Sequence, residues 1–271
     1  VTWDDGRGGG ARRWGEAMKI RVLGCSGGEL PGHKTTCFLV DGKLAVDAGA
    51  LTGSLPLEEL LRIDDILLTH SHFDHVKDVP LLADLIVGRR KRPLRVHASR
   101  LCARTLRKSI FNDELWPDFT RIPDAKQPVV EIIPFDPTRP FRIGKYRVAP
   151  VPVCHPVESV GYVLSDGRAS VAFSGDTGPT TRLWKRINAE RRLKALFVEL
   201  SFPSRLQGLA DVSGHLTPAT LASELAKIER DGQPVLLYHL KPAFMAELER
   251  ELKTLRLDNV RILERGEEFV F

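Results

Sequence analysis

The sequence predicts an α/β fold in which two mixed β-sheets pack against each other with helices on the outside. Three observations carry that prediction. Short β-rich runs alternate with helical stretches from Met18 onward. The strands fall into two sets, each followed by helices. No internal repeat and no clear Gly/Ser/Pro linker divides the 271 residues, so one domain over residues 18–271 is expected. A composition of 42% hydrophobic and 28% charged residues is that of an ordinary globular protein, which excludes a disordered chain, a collagen-like rod and a coiled coil.

In chain order, residues 19–23, 36–40 and 44–46 read as strands separated by glycine turns. A short helix is expected over 57–63 and a buried strand over 66–68. A longer helix follows over about 75–87, with Leu81, Leu82, Leu85 and Ile86 on one face. Residues 88–95, GRRKRPLR, are the densest basic run and read as a solvated loop, with a phosphate-attracting rim as the alternative. The proline-rich region 112–140 reads as an irregular surface excursion. Strands return at 129–133, 146–152, 161–164 and 170–173, followed by a helix over 181–191 and a buried strand over 196–200. Thr217 before Pro218 marks a helix start, a capping hydroxyl ahead of proline. That helix should end near 231–232, before a strand at 235–238.

Residues 1–17 carry glycines and mixed charges but lack the roughly 7–15-residue apolar stretch of a secretory signal. They read as a disordered leader or a cloning scar. No run of about 18 apolar residues is present, so no membrane span is expected. Cys25, Cys37, Cys102 and Cys154 show no C-x-x-C spacing and are expected as reduced thiols in a cytoplasmic protein. Forty basic against thirty-five acidic residues give +5, a mild excess that suits a small anionic substrate and does not require nucleic acid.

The chemistry concentrates in LLTHSHFDH, residues 67–75, where three of the eight histidines fall within six positions. While the backbone is extended, His70 and His72 point to one side; turning into a helix then presents Asp74 and His75 in another direction. Such a loop can serve two metal ions. Imidazole with carboxylate suits zinc, with manganese and iron as competitors. Further ligand types stand at strand ends: His155 in VCHP, Asp176 in SGDTG and His239 in LYHLKP. A carboxylate such as Asp176 can bridge two cations, and a hydroxide held between them would be a nucleophile at neutral pH.

The order H-x-H-x-D-H, His, Asp, His resembles the metallo-β-lactamase superfamily. That resemblance implies an αβ/βα sandwich with its metals at one edge. It implies His70, His72 and His155 on one divalent ion, Asp74, His75 and His239 on a second, and Asp176 bridging. A β-lactamase proper typically has cysteine where Asp176 stands, so antibiotic hydrolysis is disfavoured. The words LGCSGG (23–28), VDAG (46–49), GDTGP (175–179), ELSF (199–202), GHLTP (214–218) and HLKP (239–242) resemble class II cyclic-nucleotide phosphodiesterases over essentially residues 19–271. One departure is Asp78, where such enzymes usually carry a small residue.

What this implies is hydrolysis of 3′,5′-cyclic nucleotides, cyclic AMP or cyclic GMP, to 5′-monophosphates by a metal-bridging hydroxide, and a homodimer. His215 is read as the proton donor to the leaving ribose oxygen and Glu199 as the carboxylate that stabilises its charged form. Asp74 counts among the catalytic residues as well as the ligands. Asp47 either caps a glycine turn or steadies the histidine loop. Lys241 and Ser26 are candidates to meet phosphate oxygens, and Phe111-Asn112 to meet a base or ribose. His33 and His97 read as surface or packing residues. Rival readings are a tRNA 3′-processing endonuclease, a broad phosphodiesterase, a lactonase or thioesterase, and a binding module without catalysis. Against the endonuclease, only two plain strands fit between His155 and Asp176, where such enzymes insert a long tRNA-binding arm.

Overall fold

The computed structural model describes residues 17–229 and 232–271. The leader assigned to residues 1–17 lies, all but Ala17, outside the described residues. One seven-stranded sheet runs β14-β1-β2-β3-β4-β5-β6 and the other, also seven-stranded, β13-β12-β11-β10-β9-β8-β7. The first holds β1 (Lys19–Gly24), β2 (Cys37–Val40), β3 (Leu44–Val46), β4 (Asp65–Leu67), β5 (Leu94–Ser99), β6 (Val130–Phe135) and β14 (Glu268–Val270). The second holds β7 (Phe141–Ile143), β8 (Tyr146–Pro152), β9 (Val160–Ser165), β10 (Ser170–Phe173), β11 (Leu193–Glu199), β12 (Val235–Tyr238) and β13 (Val260–Ile262). Helices α1 (Leu57–Leu60), α2 (Phe73–Val76), α3 (Asp78–Ile86), α4 (Arg100–Ser109), α5 (Arg182–Asn188), α6 (Gln207–Ser213), α7 (Pro218–Leu225) and α8 (Met245–Leu255), with short 3-10 turns at Ser204–Leu206 and Pro242–Phe244, complete the described elements.

The unbroken apolar runs explain the layering. CFLV in β2, VLLY in β12 and nearly all of LKALFVE in β11 are buried, as strands covered on both faces must be. Between the sheets, the Phe38 ring lies 5.1 Å from Phe173, 5.2 Å from Phe197 and 5.3 Å from Tyr238, tying β2 to β10, β11 and β12. Outside the first sheet, Val79, Leu82, Ala83 and Ile86 of α3 and Cys102, Ala103 and Leu106 of α4 form a second apolar layer. Leu183, Trp184 and Ile187 of α5, Leu221 of α7 and Leu248 of α8 cover the other sheet.

Each sheet has a parallel half: β3 to β6 in one, β10 to β13 in the other. Parallel strands end on the same edge, so the loops leaving β3, β4, β10, β11 and β12 converge there, the usual place for a site in an α/β sheet. Strand β8 runs in the same direction as β10, since both pair antiparallel with β9, and it delivers His155 to that edge too.

Several sequence expectations need correction. The helix over 75–87 is two, α2 and α3, joined at Lys77. Its four apolar residues do not share a face: Leu82 and Ile86 are buried, whereas Leu81 and Leu85 are about two-fifths exposed at 39% and 40%. The helix after Thr217 stops at Leu225 rather than near 231, although Thr217 Oγ1 does accept from Thr220 N at 3.3 Å with Pro218 next in line. The basic run is not one loop, since Leu94 and Arg95 begin β5. Arg90 donates to the Ile63 carbonyl and to Asp64, and the run enters β5 at the edge opposite the converging loops, which removes it as a rim for a site there. Among the described residues, no helix is long and apolar enough to cross a membrane.

Candidate metal centre

Leaving β3, the VDAG turn puts Asp47 in the left-handed region at φ 58°, and His239 beyond β12 does the same at φ 66°. Non-glycine residues adopt that conformation at a cost of about 1–3 kcal/mol each when the surroundings enforce it. Here they do. A Cβ on Gly49 would lie 2.2 Å from the Asp74 carbonyl oxygen, and one on Gly27 would lie 2.3 Å from that of His239. Both words therefore need glycine because the histidine loops press against them.

Asp47, 1% exposed, holds the first loop. It accepts from Thr69 N at 2.8 Å, from Thr69 Oγ1 at 2.9 Å and from His75 Nδ1 at 2.8 Å. Committing Nδ1 to the carboxylate aims His75 Nε2 at the remaining ligands. That atom lies 3.3 Å from His239 Nε2 and 3.3 Å from Asp176 Oδ2. His239 Nε2 is 3.2 Å from both Asp176 Oδ2 and Asp74 Oδ2. On the other flank, His155 Nδ1 donates to the Gly214 carbonyl at 3.0 Å, and its Nε2 lies 3.1 Å from His72 Nδ1. His70 Nε2 points at Asp176 Oδ2 from 3.7 Å.

The seven residues named from the sequence thus meet at one edge. Three groups have donor atoms within 4.8 Å of one another: His70, His72 and His155; Asp74, His75 and His239; His70, His75 and Asp176. Their chemistry fits divalent cations. His70 Nε2 and Asp176 Oδ1 are buried and have no hydrogen-bond partner, as ligand atoms reserved for a metal would be. Burial holds His70 and His72 below the ordinary imidazole pKa, His155 down to about 4 and His239 to about 3, so each is a neutral ligand. Burial also opposes charge on His75, but the Asp176 and Asp47 carboxylates outweigh it and raise that group. Burial pushes Asp176 up, but the charge favoured on His75 beside it outweighs that and holds the carboxylate well below its usual range.

Beside this cluster, His215 Nδ1 lies 3.0 Å from Glu199 Oε1. Glu199, fully buried at the end of β11, also accepts from Thr177 N at 3.1 Å and Leu216 N at 3.2 Å. Ser201 joins the pair to the metal ligands: its Oγ donates to Glu199 Oε2 at 3.1 Å and lies 3.1 Å from His215 Nδ1 and 3.3 Å from His239 Nδ1. Burial works against charge on His215, yet the Glu199 carboxylate more than compensates and raises its pKa. His215 also falls within 4.8 Å of His155 and Asp176 by its nearest donor atom.

Other named residues sort differently. Phe111 is 2% exposed in the outer apolar layer, and Asn112 Oδ1 accepts from Leu115 N at 2.8 Å, so neither is free to meet a base. Ser26 is 4% exposed and 3.3 Å from His33 Nδ1, closed to a phosphate. Lys241 Nζ donates to the Gly27 carbonyl at 2.6 Å and lies 5.7 Å over the Phe202 ring, fixed beside His239. His97 bonds Asp65 at 2.7 Å at the other edge of the sheet. Asp78 is buried, and its Oδ2 accepts from Thr52 N at 2.7 Å and braces the segment after VDAG. The sequence reading missed Thr69 and Ser201 as organisers, although both lie inside the words LLTHSHFDH and ELSF. All four cysteines are free thiols.

Residues 38–240 match the family described as Beta-lactamase superfamily domain. A probable 3′,5′-cyclic-nucleotide phosphodiesterase of Yersinia pestis is 28% identical over 213 residues, 67% of this chain. The chain spans 58% of that relative's length. A probable metallo-hydrolase of Bacillus subtilis is 24% identical over 92% of this chain and 98% of its own. Unliganded yeast PDE1 superposes with a TM-score of 0.79 at 19% identity, covering 95% of this chain and 100% of the other, which shows the same αβ/βα sandwich.

Proposed function

The chain belongs to the beta-lactamase superfamily domain family, and on that premise we propose that this metallo-hydrolase is a dinuclear phosphodiesterase that opens 3′,5′-cyclic nucleotides, cyclic AMP or cyclic GMP, to 5′-monophosphates. His70, His72 and His155 would hold one divalent ion, Asp74, His75 and His239 a second, and Asp176 would reach both. Zinc is the ion best suited to five imidazoles and two carboxylates, with manganese and iron as competitors. When bound, the ions supply the charge that neutralises phosphoryl oxygens and activates water near neutral pH.

The observation that carries a phosphoester reading is the His215–Glu199 pair beside the ligand cluster. With Nδ1 held by Glu199, His215 keeps Nε2–H for the site. As a water oxygen forms the new P–O bond in line and gives up one proton, the P–O3′ bond breaks, O3′ takes the proton from His215 Nε2, and the proton lost by the water restores the imidazolium. Glu199 stabilises the imidazolium before transfer, and Ser201 fixes the geometry of both. Asp74, its side chain 30% exposed, stands at the mouth and orients the attacking water. A small anionic diester as the partner, a homodimer and a cytoplasmic setting complete the proposal; the free thiols suit the last.

The test is metal content and cyclic AMP hydrolysis measured on one sample. About two metals per chain with 5′-AMP formed supports the reading; metal without cyclic-nucleotide turnover would redirect it to other phosphodiesters or lactones. A tRNA-processing activity would show as steeply salt-dependent RNA binding. Against it stands the β9–β10 hairpin, which occupies the stretch between His155 and Asp176 where an arm would be inserted.

A further inference from the structure

Phe73 is 65% exposed and is the only exposed aromatic side chain among the described residues. The fold does not need it there: the inward position of α2 is taken by Val76, 1% exposed. Phe73 stands between His72 and Asp74, two candidate ligands that are themselves partly open to solvent. Consecutive Cα atoms are about 3.8 Å apart, so the Phe73 backbone sits within one residue spacing of both candidate ligands. Phe73 and Lys77 share a helix face at i, i+4. Lys77 Nζ is 3.0 Å from Glu29 Oε2, and the residue after Glu29, Leu30, is 52% exposed. Leu30 is thus a second exposed apolar side chain, one residue from the Glu29 that pairs with this helix.

From this arrangement we propose that Phe73, backed by Leu30, is the platform on which the nucleobase stacks, making the site selective for a nucleoside phosphate over a base-free ester. The proposal rests on the phosphodiesterase reading above. Phosphate at the ion cluster and a planar base on an exposed phenyl ring would fix both ends of one small ligand, and stacking tolerates any base because every base has a π-face. That makes Phe73 a determinant of ligand class rather than a participant in bond breaking.

The experiment compares wild type, Phe73→Ala and Phe73→Trp, all metal-replete and checked for equal Tm and equal elution volume. Hydrolysis of cyclic AMP and of base-free ribose 3′,5′-cyclic phosphate gives KM and kcat; calorimetric titration with 5′-AMP and ribose 5-phosphate gives binding without turnover. The expected result is a KM for cyclic AMP raised about fivefold to a hundredfold in Phe73→Ala, kcat much less affected, and restoration in Phe73→Trp. The base-free ester should show no such rise, and the preference for 5′-AMP over ribose 5-phosphate should vanish in Phe73→Ala. An unchanged KM and preference in Phe73→Ala overturns the platform, as does an equal loss for the base-free ester or a shift in elution volume, which would mark Phe73 as a contact between copies. Absent turnover with the binding preference present and Phe73-dependent would sink the phosphodiesterase reading and keep the platform; absence of both sinks both.

Discussion

Two buried aspartate–histidine pairs lie in the same sheet at its opposite edges. At the end of β3, Asp47 holds His75 at 2.8 Å; at the start of β4, Asp65 holds His97 at 2.7 Å. The bond is the same and the surroundings are not. Asp65 is also gripped by Arg95 through two bonds of 2.7 and 2.6 Å, and His97 stacks on Phe141. His75 instead turns its second nitrogen toward Asp176, Asp74 and His239, side chains of the types that ligate a divalent ion. A buried pair closed by arginine is structure; a buried pair opened onto further acceptors is a place for a metal. The difference comes from the strand ends: the edge where six chain segments converge can supply a second and third ligand, whereas at the other edge Asp65 meets the Arg95 guanidinium.

The largest break in that contrast should come from Asp176→Ala, which removes the one carboxylate facing both ligand groups. Metal analysis should find fewer than two ions per chain, and hydrolysis should fall about a thousandfold, the worth of several kcal/mol of charge stabilisation. Full metal occupancy in that variant would end the bridging assignment. His215→Ala should next lose about 10²–10⁴ in kcat while keeping its metals, since the proposal makes it a proton donor and not a ligand. Its companion Glu199→Gln gives a sign. Glu199 raises the His215 pKa above its ordinary 6.5, and the donor works only when protonated, so removing the carboxylate's charge should move the alkaline limb of the rate profile to lower pH. Movement to higher pH would contradict the donor role. Asp47→Asn should be milder, weakening metal affinity about 10–100-fold through His75, read by competition with a chelator.

Much of this edge was legible in the chain because ligand chemistry is local. His70, His72, Asp74 and His75 fall in one word, and His155, Asp176 and His239 each end an apolar run that could be read as a strand. Strands such as β10 and β12 were readable for the same reason, as their four residues are all buried. What failed to show was what packing decides. The α4 sequence RLCARTLRKS hides its inward face behind four cations and buries only Cys102, Ala103 and Leu106. The break at Lys77, the fixing of Lys241 on the Gly27 carbonyl, and the linking position of Ser201 depend on segments distant in sequence.

The smallest expected effect on catalysis comes from the far edge, and it sharpens the contrast by failing to touch the site. Asp65 is held below its ordinary pKa of 3.8: burial pushes it up, but His97 and Arg95 together pull it further down. A carboxylate with a depressed folded pKa contributes stability that is present above its unfolded value and is lost as pH falls through the folded one. Asp65→Asn should therefore cost about 1.5–3 kcal/mol at neutral pH, the range for hydrogen bonds to a charged group. The difference from wild type should shrink below about pH 4, measured by urea unfolding across that range, while metal content and kcat stay at wild-type levels. A variant that lost metal would mean the two edges are coupled through β4, and the distinction between a closed pair and an open one would no longer separate structure from site.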